Sequence, residues 1–291
     1  MRVWTKKGKI CLFLTIFAAL AAIFFLIWLK TDWQMLKDEQ KGRNYKPSAK
    51  MTEIANELNL TRKGRAVFYA AQPTLQDEAQ FNQKCGQDGG KTYTLGCYYD
   101  DGSEHIDIFD NGLSSLNNEH ISFDFNTQRT VTVLHEMLHA VYARLDNQSE
   151  ICAELKTIVP NYSQMQSELS LYSESQYCTE AFARVGSEHA DALGDTKLAK
   201  IYREYFSPND ALIAKQAQNE MQLTILNNRI DASRQTLAAE KTRIDSLISN
   251  KSRLTNSAIN SYNQLVSEHN ALAKELRAVY RNLDSERVAS L

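Results

Sequence analysis

Proline and glycine are scarce, at 4 and 11 residues in a chain of 291. So few chain breakers exclude a sandwich or barrel of many short strands and favour long helices. A strong charge of either sign is also missing. Lys and Arg number 33 against 35 Asp and Glu, a formal net charge of -2. That balance removes the electrostatic basis of nucleic-acid binding, so no nucleic-acid partner is expected. No two cysteines stand in C-x-x-C spacing, which argues against a four-cysteine zinc site. Cys85, Cys97, Cys152 and Cys178 instead form an even set with three possible pairings. Cys85–Cys97 and Cys152–Cys178 are the local choices and would suit an oxidising compartment. Four unpaired buried thiols are the alternative.

Charge is wholly absent from "ICLFLTIFAALAAIFFLIWL", residues 10–29. Twenty such residues would cross ~30 Å of hydrocarbon as a helix. Trp28, Lys30 and Trp33 would mark its interfacial edge. The run ends in "FFLIWLK" without a small-x-small cleavage site, so an uncleaved anchor is expected rather than a signal peptide. The leader 1–9 carries Arg2, Lys6, Lys7 and Lys9. The reading is a single-pass cell-membrane protein with a cytoplasmic N-terminus, the membrane as a partner, and the bulk of the chain extracytoplasmic.

Beyond the run, 30–47 is polar and reads as a stalk. Segment 48–60 has an N-cap serine and apolar residues at helical spacing, and "RAVFYAAQ" reads as a strand. A short helix around "DEAQFNQ" precedes two strand-like runs, "KTYTLGCYY" and "HIDIFD", joined by the turn signal "DDGS". A small, mostly antiparallel sheet is expected there, then a helical region to 206. "SPND" at 207–210 marks a helix start, with serine at the cap and proline at the first helical position. From there to about 285 a broken apolar stripe without proline or glycine resembles a coiled coil. Residues 207–285 would serve a homo-oligomer or a partner protein, or fold back as a hairpin. The fold class is α+β: domain 48–206, then a long C-terminal coiled-coil-like helical region, 207–291.

The chemistry is concentrated in "TVLHEMLHAVYARL", residues 132–145. His135 and His139 stand four apart, so a helix turns both imidazoles to one face, with Glu136 at the edge of the site. H-E-x-x-H is a two-ligand zinc pattern with a built-in base. Asn126 or Thr127 would cap the helix, and Val131, Leu134, Leu138, Val141, Tyr142 and Leu145 would face the core. The bland alternative is two partly buried packing histidines.

A third ligand decides between these readings. "HEMLHA" followed by "TEAFA" on a downstream helix resembles the zincin metallopeptidases, in their glutamate-zincin branch. The resemblance covers about residues 104–186. It implies that Glu180, 41 positions after His139, completes a site with His135 and His139 for one zinc ion per chain. Ala183 would let the two helices pack closely. It also implies that Glu136 takes a proton from a metal-activated water. A sheet before the helix should offer its edge strand to an extended protein or peptide substrate, the place that the 104–110 strand, with "HIDIFD", would fill. No H-x-x-G-x-x-H continuation follows, which excludes the three-histidine branch. Glu154, Glu168 and Glu174 are rival third ligands. Tyr172 is the family-like donor to a tetrahedral oxyanion, with Tyr177 as the alternative. Glu188, His189 and Asp191 would orient a ligand imidazole or form a surface charge cluster, and His105 and His120 are non-ligands. The reading is a membrane-anchored zinc metalloendopeptidase. Its alternative is a membrane-tethered coiled-coil scaffold with a structural or inactive zincin-like domain.

Overall fold

The computed structural model describes residues 16, 17, 20, 33–85, 95–117, 121–249 and 256–279; for 247–249, 257 and 275–279 it describes the backbone only. The chain is about 72% helical, so the expected α+β balance is corrected to a mainly helical fold with a minor sheet. Helices run at 33–42 (α1), Ala49–Glu57 (α2), Arg62–Ala70 (α3) and Glu78–Cys85 (α4). Strands lie at Thr74–Gln76 (β1), Gly96–Asp100 (β2), Glu104–Phe109 (β3), Ser115–Asn117 (β4) and Ser122–Asp124 (β5). Then follow α5 (Phe125–Tyr142), α6 (Gln148–Ile158), α7 (Ser163–Leu169), α8 (Glu174–Glu188), α9 (Lys197–Tyr205), α10 (Asp210–Ser249) and α11 (Asn256–Val279).

Helix α5 is the axis of the core. It packs against α2, α3, α8 and α10 and against β2 and β3. Val133, Met137, Leu138, Ala140 and Val141 are fully buried along it. Burying each such aliphatic side chain stabilises by about 1.5–3 kcal/mol, which fixes the helix rigidly from several sides. Ser48 caps α2, its hydroxyl accepting from Met51 N at 3.2 Å.

Several expectations are corrected. "RAVFYAAQ" is helical over α3, not a strand. Thr61 caps it by accepting from Gly64 N at 3.1 Å. A Cβ on Gly64 would lie 1.9 Å from the Tyr205 carbonyl oxygen, so only glycine lets α3 meet α9 there. The strand pairing is mostly antiparallel, as expected, but one ladder is parallel. The main sheet has the order β1-β3-β2, with β1 parallel and β2 antiparallel to β3, and β4–β5 form a separate antiparallel pair. Strand β3 is therefore central and cannot offer an edge to substrate; among the described residues β1 and β2 are the edges, and β2 is the one that packs on α5.

The membrane anchor is also corrected. Among the described residues no helix is long and apolar enough to cross a membrane. The long helices α10 and α11 carry charged residues along their length. Of segment 10–29 only Ile16, Phe17 and Leu20 are described, and the leader 1–9 lies outside the described residues. The single-pass localisation built on that anchor is withdrawn with it. Residues 30–47, read as a stalk, contain α1, which docks on the domain. Arg144, just past α5, donates to Asp38 at 2.9 and 3.0 Å and to Glu104. These three side chains are 6, 2 and 9% exposed. Removing the cation would strand two buried carboxylates. Arg144→Ala is expected to lower stability by about 3–5 kcal/mol, read as a shifted midpoint in urea with an unchanged slope.

The C-terminal stripe is met within the chain. Helices α10 and α11 pack on each other, with Leu226 and Ile230 clustered with Leu272 and His269 Nδ1 3.2 Å from Ser233 Oγ. These pairs ascend one helix as they descend the other, so the helices run antiparallel. Helix α10 begins at Asp210 with Asn209, not Ser207, as its cap: Asn209 Oδ1 accepts from Leu212 N at 3.3 Å. Its first turns lie over α5, α8 and β5.

Candidate metal centre

Asp124 opens α5, not Asn126 or Thr127; its Oδ1 accepts from both their backbone amides, at 2.9 and 3.2 Å. From that start, ten and more residues of helix carry His135 and His139 to the face shared with α8. Helix α8 approaches closely because Gly186 lacks a side chain. A Cβ there would lie 2.6 Å from both Leu138 Cδ1 and Tyr202 Cε1. Ala181 and Ala183 are fully buried in the same contact. The Cys152–Cys178 disulfide, Cα–Cα 5.2 Å, ties α8 to α6 two residues before Glu180.

The three expected ligands come together. His135 Nε2 and His139 Nε2 are 3.2 Å apart. Glu180 Oε2 lies 3.5 Å from the first and Oε1 3.5 Å from the second. A tetrahedral zinc ion bound at ~2.0–2.1 Å separates its donors by about 3.3–3.4 Å; the two imidazole nitrogens are at that spacing, and one Glu180 oxygen lies close to each of them, so the three side chains converge where such an ion would sit. Among the described residues this is the only group of three such side chains at metal-ligand spacing. The donor set of two imidazoles and one carboxylate is that of a zinc site with a fourth position left open.

Electrostatics agree with the geometry. Burial and the neighbouring His135 push His139 down to about 4. Burial also opposes charge on His135, but the Glu180 carboxylate and Glu136 more than offset it and raise its pKa. Burial works against the Glu180 carboxylate, yet the two imidazoles hold it below the usual range.

Behind His139 sits a group that the sequence reading missed. Thr179 Oγ1 is 3.0 Å from His139 Nδ1, the ring nitrogen turned away from the triad. An acceptor there fixes the tautomer that leaves Nε2 free for metal. Thr179→Val, which keeps the shape, is expected to weaken zinc affinity about 10–100-fold, measured by competition with a fluorescent chelator.

Glu136 lies against β2, whose outer edge is unpaired among the described residues, and is 6% exposed. Gly96 makes this possible, since a Cβ there would be 2.7 Å from Glu136 Cγ and 2.8 Å from Thr132 Cγ2. An isolated glycine inside a strand-like run signals close backbone approach, so "TLGCYY" did contain the clue. Phe109 N donates to Leu95 O at 2.9 Å. By antiparallel alternation Cys97 and Tyr99 also bond inward to β3, and the amides of Gly96 and Tyr98 face outward. The Tyr98 amide donates to the Glu136 carboxylate. Burial pushes Glu136 up to about 7, against the pull of His135. A carboxylate so tuned can take and return a proton near neutral pH. The Cys85–Cys97 disulfide, Cα–Cα 5.9 Å, pins this edge to α4.

Tyr172 is half-buried, and burial together with the Glu180 and Glu136 charges pushes its phenol up to about 12. It lies within electrostatic reach of both carboxylates. Tyr177 packs on the core from α8. The rival ligands are occupied elsewhere or exposed. Glu154 accepts from Leu198 N, Glu168 pairs with Arg184, and Glu174 faces solvent in the first turn of α8. Of the expected orienting groups, Glu188 pairs with Arg184 at 2.9 Å, His189 stacks on Tyr162 at 4.0 Å and Asp191 is exposed. His105 bonds Ser103 at 2.8 Å, and His120 lies outside the described residues.

No family model, no curated protein and no solved structure matches the chain.

Proposed function

We propose that the chain is a zinc-dependent peptidase, with His135, His139 and Glu180 as metal ligands and Glu136 as general base. The observation that carries this reading is the convergence of the two imidazole nitrogens, 3.2 Å apart, on the Glu180 carboxylate, which sets one oxygen 3.5 Å from each, with a buried carboxylate one residue from His135. Zinc in that position would polarise a peptide carbonyl and acidify a water molecule.

The chain's own groups do the rest. Glu136 takes the water's proton as the oxygen adds to the carbonyl carbon. It then passes that proton to the amine nitrogen as the C–N bond breaks, which returns the carboxylate to its starting state. Tyr172 keeps its hydroxyl proton throughout the neutral range and is the donor for the developing oxyanion. The Gly96 amide and the outward carbonyls of β2, not β3, hold the substrate as an added strand. The Tyr98 amide, already directed at Glu136, keeps strand and base in register.

The test is hydrolysis of a mixed peptide library by the full chain, followed by mass spectrometry. Cleavage is expected with zinc bound, abolished by a chelator and restored by zinc. A zinc-loaded chain that leaves every peptide intact sinks the proposal.

A further inference from the structure

A cavity of about 540 Å³ opens beside the metal centre, along the two helix faces that carry the ligands. On α8 the face runs Glu180, Arg184, Glu188; on α5 it runs His139, His135, Thr132, Gln128. Helix α10 closes the far side with Gln216, Glu220 and Leu223. We propose that this cavity is a specificity pocket for a lysine or arginine side chain of the substrate. The inference rests on the peptidase reading and names the substrate class of that site.

Charge is the first argument. Glu168, Glu188 and Glu220 line the cavity against one guanidinium, Arg184. Arg184 is already committed to Glu168 and Glu188. Three carboxylates and one cation leave an excess of two negative charges beside a peptide-binding edge. Proximity shows in Glu220, at the exposed rim of the cavity, whose carboxyl is raised by desolvation from the surrounding protein and by Glu188.

An unmet acceptor is the second. Gln216 is 8% exposed, and its NH₂ donates to Glu220 at 3.1 Å. Its amide oxygen has no partner. Leaving such an acceptor unmet costs about 1–3 kcal/mol, and a donor-rich cation entering between Gln216 and Glu220 relieves it. The metal-ion alternative fails on geometry, because these carboxylates are not gathered at ligand distance.

Shape is the third. Leu95, Phe123, Met165 and Leu223 supply apolar wall beside the acids. A long methylene stem with a charged end matches that gradient. Arg184 and Glu188 stand one and two helical turns from Glu180, about 6 and 12 Å along the axis. At ~3.3 Å per residue of extended peptide, the basic residue falls about two to four positions from the bond cut.

The experiment uses the full, zinc-loaded chain carrying Glu136→Gln, so that binding is read without hydrolysis. Capped alanine-rich heptapeptides with one arginine or lysine walked through the sequence are titrated by calorimetry. At one register the basic peptide is expected to bind about tenfold tighter than its alanine counterpart, the effect of one charge-assisted hydrogen bond. Glu220 is on an exposed position of α10, so its replacement leaves the core intact. Adding Glu220→Lys should remove the preference or turn it toward acidic peptides, and Gln216→Leu should reduce it. Equal binding at every register, or a preference for acidic peptides in the unaltered cavity, overturns the assignment. Failure of the two readings is distinguishable. Basic preference in binding with no cleavage by the wild type removes the peptidase and keeps the pocket. Cleavage without basic preference does the reverse.

Discussion

Replacing Glu180 with alanine is expected to take the chain from one bound zinc to almost none under dilute conditions. Four-ligand zinc sites supply ~10–16 kcal/mol of binding energy, so one protein ligand is worth roughly 3–4 kcal/mol, a loss of several hundredfold in affinity. The geometry sharpens the expectation, because Glu180 meets both imidazoles at 3.5 Å, one through each oxygen. Its loss leaves two nitrogens on one helix, a chelate without a third corner. Fold should survive, since Glu180 is not part of the buried apolar contact made by Ala181, Phe182 and Ala183. Zinc content by atomic absorption after gel filtration, paired with circular dichroism, separates lost metal from lost structure. Retention of stoichiometric zinc by Glu180→Ala would remove this residue from the site.

The second large effect belongs to Glu136→Gln. Zinc content should match the wild type, because Glu136 is not one of the three ligand side chains and is held by β2, where the Tyr98 amide and Gly96 meet it. The amide keeps the shape but can neither accept the water's proton nor hand it on. A drop in kcat of about 10²–10⁴-fold is expected, the usual weight of a positioned acid–base group. KM should change little, since the substrate is held by the β2 edge and the neighbouring cavity. A fall in zinc content parallel to the fall in kcat would instead mark Glu136 as structural.

What could be read from the sequence was local. His135 and His139 are four residues apart, and helical pitch alone puts them side by side. Glu180 could be singled out only through the resemblance of "TEAFA", because nothing in spacing links residues 41 positions apart. The partner behind His139 was hidden in that same stretch. Thr179 precedes Glu180 and matters only once α8 has docked on α5. "HIDIFD" was misplaced for a physical reason: Ile106, Asp107, Ile108 and Phe109 are all buried, the mark of a strand covered on both sides rather than an edge. The less apolar "GCYYD" was the edge.

"RAVFYAAQ" shows the limit of local propensity. Valine, phenylalanine and tyrosine favour strands, but a threonine cap and the Gly64–Tyr205 contact set α3 helical. Asp38 reads as one more charge in a polar segment. Only the fold reveals that Arg144, over a hundred residues away, holds it in the interior. Hydropathy likewise marked 10–29 as an anchor, yet no described helix has the length and apolarity to span a membrane.

X-ray absorption at the zinc edge of the full chain addresses the central claim most directly. Nitrogen and oxygen donors at ~2.0–2.1 Å, with the outer-shell scattering of two imidazoles, are expected. A sulfur shell at ~2.3 Å, or zinc without imidazole scattering, would contradict a centre built from His135, His139 and Glu180.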